Sequence, residues 1–437
     1  MSRVALIPWG NVIEDYLDAI GVSLDAFCDE MDGGWLFGYF AALRAVGVDG
    51  VLLLISSGVS APERRVHRAS GVPIHVLPAA GAYRRLRRRV SDPYGWNVGK
   101  MFGLAKPGRL RRAALAPARA IFPYFATPPR ALAAALRSEG VSALLCQEYE
   151  YARFDSCVAV GRAIGIPVFG TFQGGDSSFS ALEHRVRGLA IRASAGLVIP
   201  TRRELERVHR TYGVAREALA QIFNPIDLAE WSPIPRAEAR ARLGIPDEAR
   251  VAISHGRIEI HRKGLDILLA AWAEVTSQRP GRDYRLMVVG SGGDAAEFGR
   301  RVEAAALPGL TWASEFVLDR AAIRTSLSAA DVYVMTSRKE GFPVAPVEAM
   351  ACGLPIVASD ANGVADILAD GEQSGGLLVA REDVQGTAAA IMRMLDDVPL
   401  SRSLGVAARR RVESKFGLEA VGAELRDFLR ARGARDL

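Results

Sequence analysis

Cysteine is scarce in this sequence of 437 residues. Its four cysteines, Cys28, Cys146, Cys157 and Cys352, lie in apolar surroundings and lack the CxxC or Cys/His spacing of a zinc site. So few cysteines exclude a disulfide-rich scaffold. We therefore expect small buried thiols and a location in the reducing cytoplasm.

Long hydrophobic runs are missing as well. No stretch approaches the roughly 20 apolar residues that span a bilayer. The run at residues 4–8 is too short for a secretory signal, and Glu14, Asp15 and Asp18 follow it. Hydrophobic residues still make up 49% of the chain, which excludes a disordered protein. Because this length exceeds one hydrophobic core, we expect two domains of about 200 residues each.

Acidic residues are almost missing from one segment. Residues 81–130 hold twelve Lys or Arg against Asp92 alone, although the net charge of the whole chain is only +6. Six aromatic residues are interleaved with these bases: Tyr94, Trp96, Phe102, Phe122, Tyr124 and Phe125. A solvated basic face, peripheral contact of residues 84–130 with the anionic inner face of a membrane, and a phosphorylated acceptor all fit this pattern. Nucleic acid is the least favoured partner.

Short apolar runs alternate with helical patterns along the chain, which is typical of a parallel sheet covered by helices. In the first half these runs are residues 4–8, 51–55, 74–77, 143–146, 168–171 and 196–199. In the second half they are residues 251–254, 285–289, 310–312, 332–335, 356–358 and 377–379. The fold class is therefore α/β, with two doubly wound halves, and ligands are expected beyond the carboxyl ends of the strands.

The alternating pattern breaks at Asn224-Pro225-Ile226-Asp227, which predicts an interdomain connection. The predicted parts are an N-terminal acceptor-binding domain (1–225), a linker (226–245), a C-terminal donor domain (246–412) and a C-terminal helical segment that packs back toward the first domain (413–437).

The segment most informative about chemistry is residues 338–358, RKEGFPVAPVEAMACGLPIVA. Glu340 is predicted on a loop and Glu348 in a helix. Because Gly341 and Pro343 forbid a continuous helix between them, the two carboxylates can approach one ligand from different elements. The helix is predicted over residues 347–352.

This helix is predicted to have Pro346 at its first position and Gly353 just past its end. The exposed amides that follow Glu340 add hydrogen-bond donors for hydroxyls or phosphate.

A second motif directly follows the first strand of the second half. Residues 254–269 contain Arg257 and Lys263 on a loop that leads into a helix. Fixed cations and helix-terminal amides are what a departing diphosphate needs as its negative charge builds. His255 and His261 lie beside this motif and are expected to support it rather than to react.

Together these two segments closely resemble the donor-site signature of family 4 glycosyltransferases, of the glycosyl transferases group 1 type. The resemblance covers roughly residues 250–380. It implies the GT-B fold, in which two Rossmann-like doubly wound domains face each other across a cleft, and a retaining, metal-independent reaction with no cofactor. The absence of an Asp-x-Asp motif near the donor elements agrees with that expectation.

The resemblance also assigns roles. Arg257 and Lys263 would neutralise the leaving diphosphate, Glu348 would accept hydrogen bonds from the ribose hydroxyls, and Glu340 would act at the transferred sugar. The loop expected around that sugar consists of Gly341, Phe342, Pro343 and Val344.

Further donor contacts are implied at two other strand ends. Gly290 begins a glycine turn after a predicted strand, although such turns are common. Ser314, Glu315 and Phe316 match loosely the position at which the family's backbone contacts the base. In the first half, Gly33 and Gly34 resemble the family's early glycine pair beneath the donor phosphates; a tight turn capped by Asp32 explains them equally well.

The acceptor side is where the sequence departs from the family pattern. Many members have a histidine near the position of Gln173, and glutamine cannot act as a general base. Asp176 and Glu148 are the other candidates for contact with the acceptor. In retaining enzymes of this type the departing phosphate is thought to take the acceptor's proton, so the main mechanism is unaffected.

We therefore expect a hexosyltransferase that moves a hexose from a nucleotide diphosphate sugar to a hydroxyl of an unidentified acceptor, including a lipid-linked acceptor or an envelope glycan. Two alternatives stay open. One is a GT-B epimerase or phosphorylase, and the other is a non-catalytic protein that binds anionic membranes or nucleic acid.

Overall fold

The computed structural model describes residues 3–29, 31, 34–92, 97–106, 108–172, 174, 181–314 and 319–437. The chain divides into two compact units. Unit 1 consists of Met1–Pro225 together with Val421–Leu437, and unit 2 consists of Ile226–Ala420.

Unit 1 is built on an eight-stranded sheet. Its strands are β1 (Arg3–Ile7), β2 (Asp49–Ser56), β3 (Glu63–Val66), β4 (Pro73–Pro78), β5 (Val141–Gln147), β6 (Val168–Thr171), β7 (Gly196–Val198) and β8 (Leu219–Ala220). They lie in the order β3-β4-β2-β1-β5-β6-β7-β8, and all neighbours are parallel except β3 and β4. Leu53, Leu144 and Leu197 of this sheet are fully buried, as expected for strands covered on both faces.

The helices of unit 1 connect these strands. They are α1 (Glu14–Leu17), α2 (Leu24–Asp29), α3 (Gly34–Ala45), α4 (Gly81–Arg87), α5 (Val98–Met101), α6 (Arg109–Ile121), α7 (Pro129–Ser138), α8 (Ala152–Ile164), α9 (Ala181–Ala193) and α10 (Arg202–Tyr212).

Unit 2 contains a six-stranded sheet in which every pair of neighbours is parallel. Its strands are β9 (Arg250–His255), β10 (Tyr284–Val289), β11 (Leu310–Ala313), β12 (Val332–Met335), β13 (Ile356–Ser359) and β14 (Gly376–Val379), in the order β11-β10-β9-β12-β13-β14. The chain therefore leaves β9 toward β10 on one side and later returns to place β12 on its other side.

The helices of unit 2 follow the same alternation. They are α11 (Arg236–Leu243), α12 (Ile260–Lys263), α13 (Leu265–Gln278), α14 (Ala295–Ala305), α15 (Arg320–Ala329), α16 (Ala345–Ala351), α17 (Val364–Ile367), α18 (Val384–Asp396) and α19 (Val398–Lys415). A last helix, α20 (Leu418–Ala431), carries the chain from unit 2 into unit 1, where the Phe428 ring lies 5.8 Å from that of Phe169.

Every apolar run predicted as a strand is a strand in the structure, with ends that differ by at most two residues. Two short edge strands were not predicted, β3 and β8. The predicted connection at residues 226–245 contains α11, which lies within unit 2. All four cysteines are buried and free, as expected. Within the described residues, no helix combines the length and the apolar character that crossing a bilayer requires.

A buried arginine joins the start of unit 2 to its sheet. Arg240 of α11 is only 1% exposed, and its Nη2 lies 2.9 Å from Asp331 Oδ2, just before β12. Its remaining bonds go to main-chain oxygens, those of Ala329, Pro246, Asp247 and Ala249. One side chain thus satisfies four carbonyls and a carboxylate that have little access to water.

We expect Arg240→Met to destabilise unit 2 by about 3–5 kcal/mol, the usual cost of breaking a buried ion pair from one side. Arg242→Met on the same helix is the matched control, because Arg242 is exposed and pairs with the exposed Glu238; its effect should stay within about 0.5 kcal/mol. Urea unfolding of both variants measures the difference, and equal unfolding midpoints would contradict the role given to Arg240.

Candidate active site

The candidate site of unit 2 lies at the carboxyl ends of β9 and β12, where the strand order reverses. At such a switch point the loops after the two strands diverge to opposite faces of the sheet and leave a crevice for a ligand. The segment after β9 carries Arg257 on its loop and Lys263 at the end of α12, and the loop after β12 carries Glu340. The topology therefore brings together the two motifs that the sequence separates.

The loop after β9 is fixed by its neighbours. Gly256 has φ +141° and donates its N–H to Val289 O at 3.0 Å, and Ile258 N donates to Ser291 O at 3.0 Å. Gly290 packs directly against this turn, since a Cβ built on it would lie 2.0 Å from Gly256 O. Gly290 is thus required for close packing of two loops, which is a structural reason for the glycine predicted to contact the donor.

Lys263 ends α12 and is held beside the loop after β12. The next residue, Gly264, has φ +62°, and a Cβ there would lie 2.0 Å from Thr336 O. Thr336 Oγ1 in turn donates to Gly264 O at 2.8 Å. This close approach places Lys263 Nζ 2.7 Å from Glu340 Oε1.

Glu340 lies on a loop between β12 and α16, as predicted, and it is buried there. Ser337 Oγ donates to Glu340 Oε1 at 2.6 Å, so both Ser337 and Lys263 bond the same oxygen. Among the residues that the structure describes, none bonds Oε2. One carboxylate oxygen is therefore used to orient the group, and the other remains for a ligand.

The same loop is anchored at its start by an ion pair. Arg338 bonds both oxygens of Asp266 on α13, at 2.8 Å each. The guanidinium of Arg338 lowers the pKa of the Asp266 carboxyl through these hydrogen bonds. Neither this pair nor Ser337 was predicted to belong to the site, although Ser337 lies only three residues before Glu340.

Glu348 lies on α16, which begins at Ala345 rather than at residue 347. Pro346 is the second helical residue, where its missing N–H costs no hydrogen bond, and the helix ends before Gly353, whose φ is +79°. The helix begins two residues earlier than predicted, because the N–H groups of its first turn have no acceptor within the helix and a proline there loses nothing.

A histidine holds the carboxylate of Glu348. His255, the last residue of β9, places Nε2 2.9 Å from Glu348 Oε2. The ring of Tyr333 packs edge-on against His255 with centroids 5.4 Å apart, and its hydroxyl donates to His255 O at 3.3 Å. Burial raises the pKa of Tyr333, and the charges of Glu348 and Glu340 raise it further, so this hydroxyl stays protonated.

We expect His255→Ala to raise the KM for the donor about tenfold with little change in kcat. The estimate corresponds to one lost hydrogen bond to a charged group, and Glu348 is the residue that the family resemblance places at the ribose. His261→Ala is the matched control, because His261 is exposed on the neighbouring α12. A KM equal to that of the unchanged protein would contradict a positioning role for His255.

The remaining donor-side residues are placed as follows. Arg257 is 58% exposed and pairs with Glu259 at 3.1 Å, rather than joining the contact between Lys263 and Glu340. The loop Gly341, Phe342, Pro343 and Val344 joins Glu340 to α16. A Cβ on Gly363, whose φ is +80°, would lie 3.0 Å from Gly341 O, so this glycine allows the loop to pack closely. Ser314 is exposed after β11, and Glu315 and Phe316 lie outside the described residues.

The acceptor-side predictions in unit 1 are only partly described. Gly33, Gln173 and Asp176 lie outside the described residues, and Gly34 is the first residue of α3. Glu148 is buried directly after β5 and has φ +64°, a conformation that a side chain other than glycine rarely adopts. Such backbone strain is concentrated at functional sites in proteins.

Residues 235–411 match the profile of the family described as glycosyl transferases group 1. Unit 2 belongs to this glycosyltransferase family. The matched segment contains both motifs of the site, from Arg257 to Glu348.

Curated relatives of this glycosyltransferase domain include two named D-inositol 3-phosphate glycosyltransferase. That of Jonesia denitrificans is 32% identical over 51% of this chain and 54% of its own length. That of Kineococcus radiotolerans is 33% identical over 55% of this chain and 58% of its own length. The chain thus spans about half the length of the curated relatives it matches.

Solved structures extend the likeness of fold beyond the glycosyltransferase domain. Sucrose-phosphate synthase from Thermosynechococcus elongatus has a TM-score of 0.66 over 99% of both chains at 20% identity. Anabaena HepE, solved in complex with UDP, has a TM-score of 0.68 over 99% of this chain and 100% of its own at 15% identity. At these identities the likeness shows the fold alone, which is GT-B.

Proposed function

We propose that this protein is a glycosyltransferase that transfers a hexose from a nucleotide diphosphate sugar to a hydroxyl group, with retention of the anomeric configuration. The observation that carries the proposal is the contact of Lys263 with Glu340 at the switch point of a group 1 glycosyltransferase domain. It places a cation suited to a diphosphate beside a carboxylate suited to a sugar. The solved complexes of HepE with UDP and with UDP-glucose support a nucleotide sugar as the donor.

In the proposed reaction, the bond from the anomeric carbon to the diphosphate breaks and a bond from that carbon to the acceptor oxygen forms. The proton of the acceptor hydroxyl passes to the departing diphosphate on the same face of the sugar. Lys263 and Arg257 stabilise the charge that builds on the diphosphate, and Glu340 stabilises positive charge on the sugar ring. Glu348 binds the ribose, and the reaction needs no metal or other cofactor.

A panel of nucleotide sugars, with the chain present and absent, tests this proposal. We expect hydrolysis of one donor in the absence of acceptor, and the anomer first released, identified by NMR, should be the anomer of the donor. Turnover that requires free phosphate would instead indicate a phosphorylase, and a free epimerised nucleotide sugar would indicate an epimerase. Failure to bind any nucleotide sugar would sink the proposal and favour a non-catalytic binding protein.

We also propose peripheral contact with an anionic membrane through α6 of unit 1. Leu110 is 89% exposed between Arg109 and two further bases, Arg111 and Arg112, and Phe125 is exposed shortly after the helix. An apolar side chain flanked by arginines suits the boundary between acyl chains and anionic headgroups.

Replacing Arg109, Arg111 and Arg112 by Gln is expected to weaken binding to vesicles that contain phosphatidylserine by about 10²-fold, since each base near such a surface contributes about 1 kcal/mol. Co-sedimentation measures the change, and vesicles of phosphatidylcholine alone are the control. Unchanged sedimentation with the anionic vesicles would rule out this contact.

A further inference from the structure

An arginine-lined cavity opens at the carboxyl edge of the unit 1 sheet. Its volume is about 650 Å³, and its lining residues are Ser57, Gly81, Arg84, Arg85, Arg87 and Arg88. Ser57 directly follows β2, and α4 begins at Gly81 shortly after the parallel neighbour β4. The cavity, called the arginine pocket below, therefore lies at the edge where parallel sheets bind ligands, and its size suits a small molecule.

The positive charge of this pocket is only partly compensated. Arg87 pairs with the buried carboxylate of Asp15. The other nearby acid, Glu14, accepts hydrogen bonds from Ser57 N at 3.0 Å and Gly58 N at 3.1 Å, so it holds the loop after β2.

Three arginines of the pocket remain without such a partner. Within the described ranges, no ion pair engages Arg84, Arg85 or Arg88. Unpaired guanidinium groups around one concavity create a local positive potential, which attracts a multivalent anion.

A second, mostly apolar cavity lies near α1. It is lined by residues from the ends of β1 and β2 and from the α1 region, among them Trp9, Ile13, Tyr16 and Ile55. The helix α1 thus contributes Tyr16 to the apolar cavity and, through Asp15, pairs with Arg87 of the arginine pocket.

We propose that the arginine pocket binds a phosphate group of the acceptor. This inference rests on the proposed function, because it takes unit 1 to carry the molecule that receives the sugar. Phosphate fits better than a carboxylate, since it presents three oxygens and up to two charges to several guanidinium forks. A local concavity lined by one short helix and one loop also differs from the extended basic stripe that nucleic acid requires.

The test titrates phenyl phosphate into the full chain by calorimetry, with phenol as the probe that lacks the phosphate. The pocket variant is Arg84→Gln/Arg85→Gln/Arg88→Gln, which leaves the pair of Arg87 and Asp15 intact. We expect it to bind phenyl phosphate at least about tenfold more weakly, as the loss of charge-assisted hydrogen bonds implies. Affinity equal to that of the unchanged protein would overturn the proposal.

Two controls locate the bound phosphate. Arg109→Gln/Arg111→Gln/Arg112→Gln removes the same charge from α6, outside the pocket, and should leave the affinity for phenyl phosphate unchanged. Lys263→Met alters the donor site and should also leave it unchanged. If Lys263→Met alone abolishes binding, the probe occupies the donor site and the arginine pocket is not a phosphate site.

A second arm distinguishes the source of the phosphate. Vesicles of phosphatidylcholine with phosphatidic acid are compared with phosphatidylcholine alone for the unchanged protein and the pocket variant. Weaker binding of the variant to the phosphatidic acid vesicles assigns the pocket to a lipid phosphate, whereas a loss confined to phenyl phosphate assigns it to a soluble phosphomonoester. UDP binding, measured on the same samples, reports on folding and on the proposed function separately from the pocket.

Discussion

Glu340→Gln is expected to lower the rate of sugar transfer by about 10²–10³-fold while the chain stays folded, the range observed when one charge-stabilising group is removed from an active site. Both hydrogen bonds to Glu340, from Lys263 and Ser337, go to the single oxygen Oε1. A glutamine can accept both with its amide oxygen. The substitution therefore removes the negative charge and keeps the bonds that hold the side chain in place.

The measurement is single-turnover transfer with the donor found by the nucleotide-sugar panel, together with UDP affinity. UDP should bind Glu340→Gln about as well as the unchanged protein, because Glu340 is proposed to act at the sugar and not at the nucleotide. Glu372→Gln makes the same change on an exposed carboxylate that pairs with Arg393. If Glu340→Gln and Glu372→Gln turn over at the same rate, Glu340 has no part in the chemistry.

The sequence was sufficient to place Glu340 and Glu348 on different elements. Gly341 and Pro343 disfavour a continuous helix, so a loop was the local solution between a buried strand and a helix. The predicted start of that helix, residue 347, was wrong by two residues. The helix begins at Ala345, because the N–H groups of a first helical turn need no partner within the helix.

The contacts that complete the site could not be predicted from local pattern. The pair of Lys263 and Glu340 and the pair of His255 and Glu348 each join residues more than 70 positions apart. Each depends on β12 pairing with β9, which brings two distant loops to one edge of the sheet. Spacing along the chain carries no information about that register.

Most strands of the two sheets could be predicted from their apolar runs, whereas β3 could not. A parallel strand covered on both faces is a continuous apolar run, as in Val332–Met335, all of whose residues are buried. In contrast, β3 reads Glu-Arg-Arg-Val, alternates between half-buried and exposed residues, and pairs antiparallel at the edge of its sheet. Its charges suit an edge and conceal the strand from a search for apolar runs.

Lys263→Met is expected to reduce kcat/KM for the donor by about 10²–10³-fold, because a fixed cation at a departing diphosphate is worth about as much as an oxyanion-hole donor. Methionine keeps most of the length of the side chain and removes only the ammonium group. Affinity for UDP should fall while affinity for uridine stays the same, since only UDP carries the charge that Lys263 is proposed to meet. Equal losses for UDP and uridine would indicate a general disturbance of the site instead.

The contact between Lys263 and Glu340 also predicts how Lys263→Met and Glu340→Gln combine in a double variant. Lys263 neutralises Glu340 at 2.7 Å, so Lys263→Met alone leaves a buried carboxylate without its cation. Part of the loss in Lys263→Met therefore comes from the unpaired Glu340, and that part disappears when Glu340→Gln is added. The combined loss in kcat/KM should be smaller than the product of the two single losses. A simple product would show that the two side chains act independently, in spite of their contact.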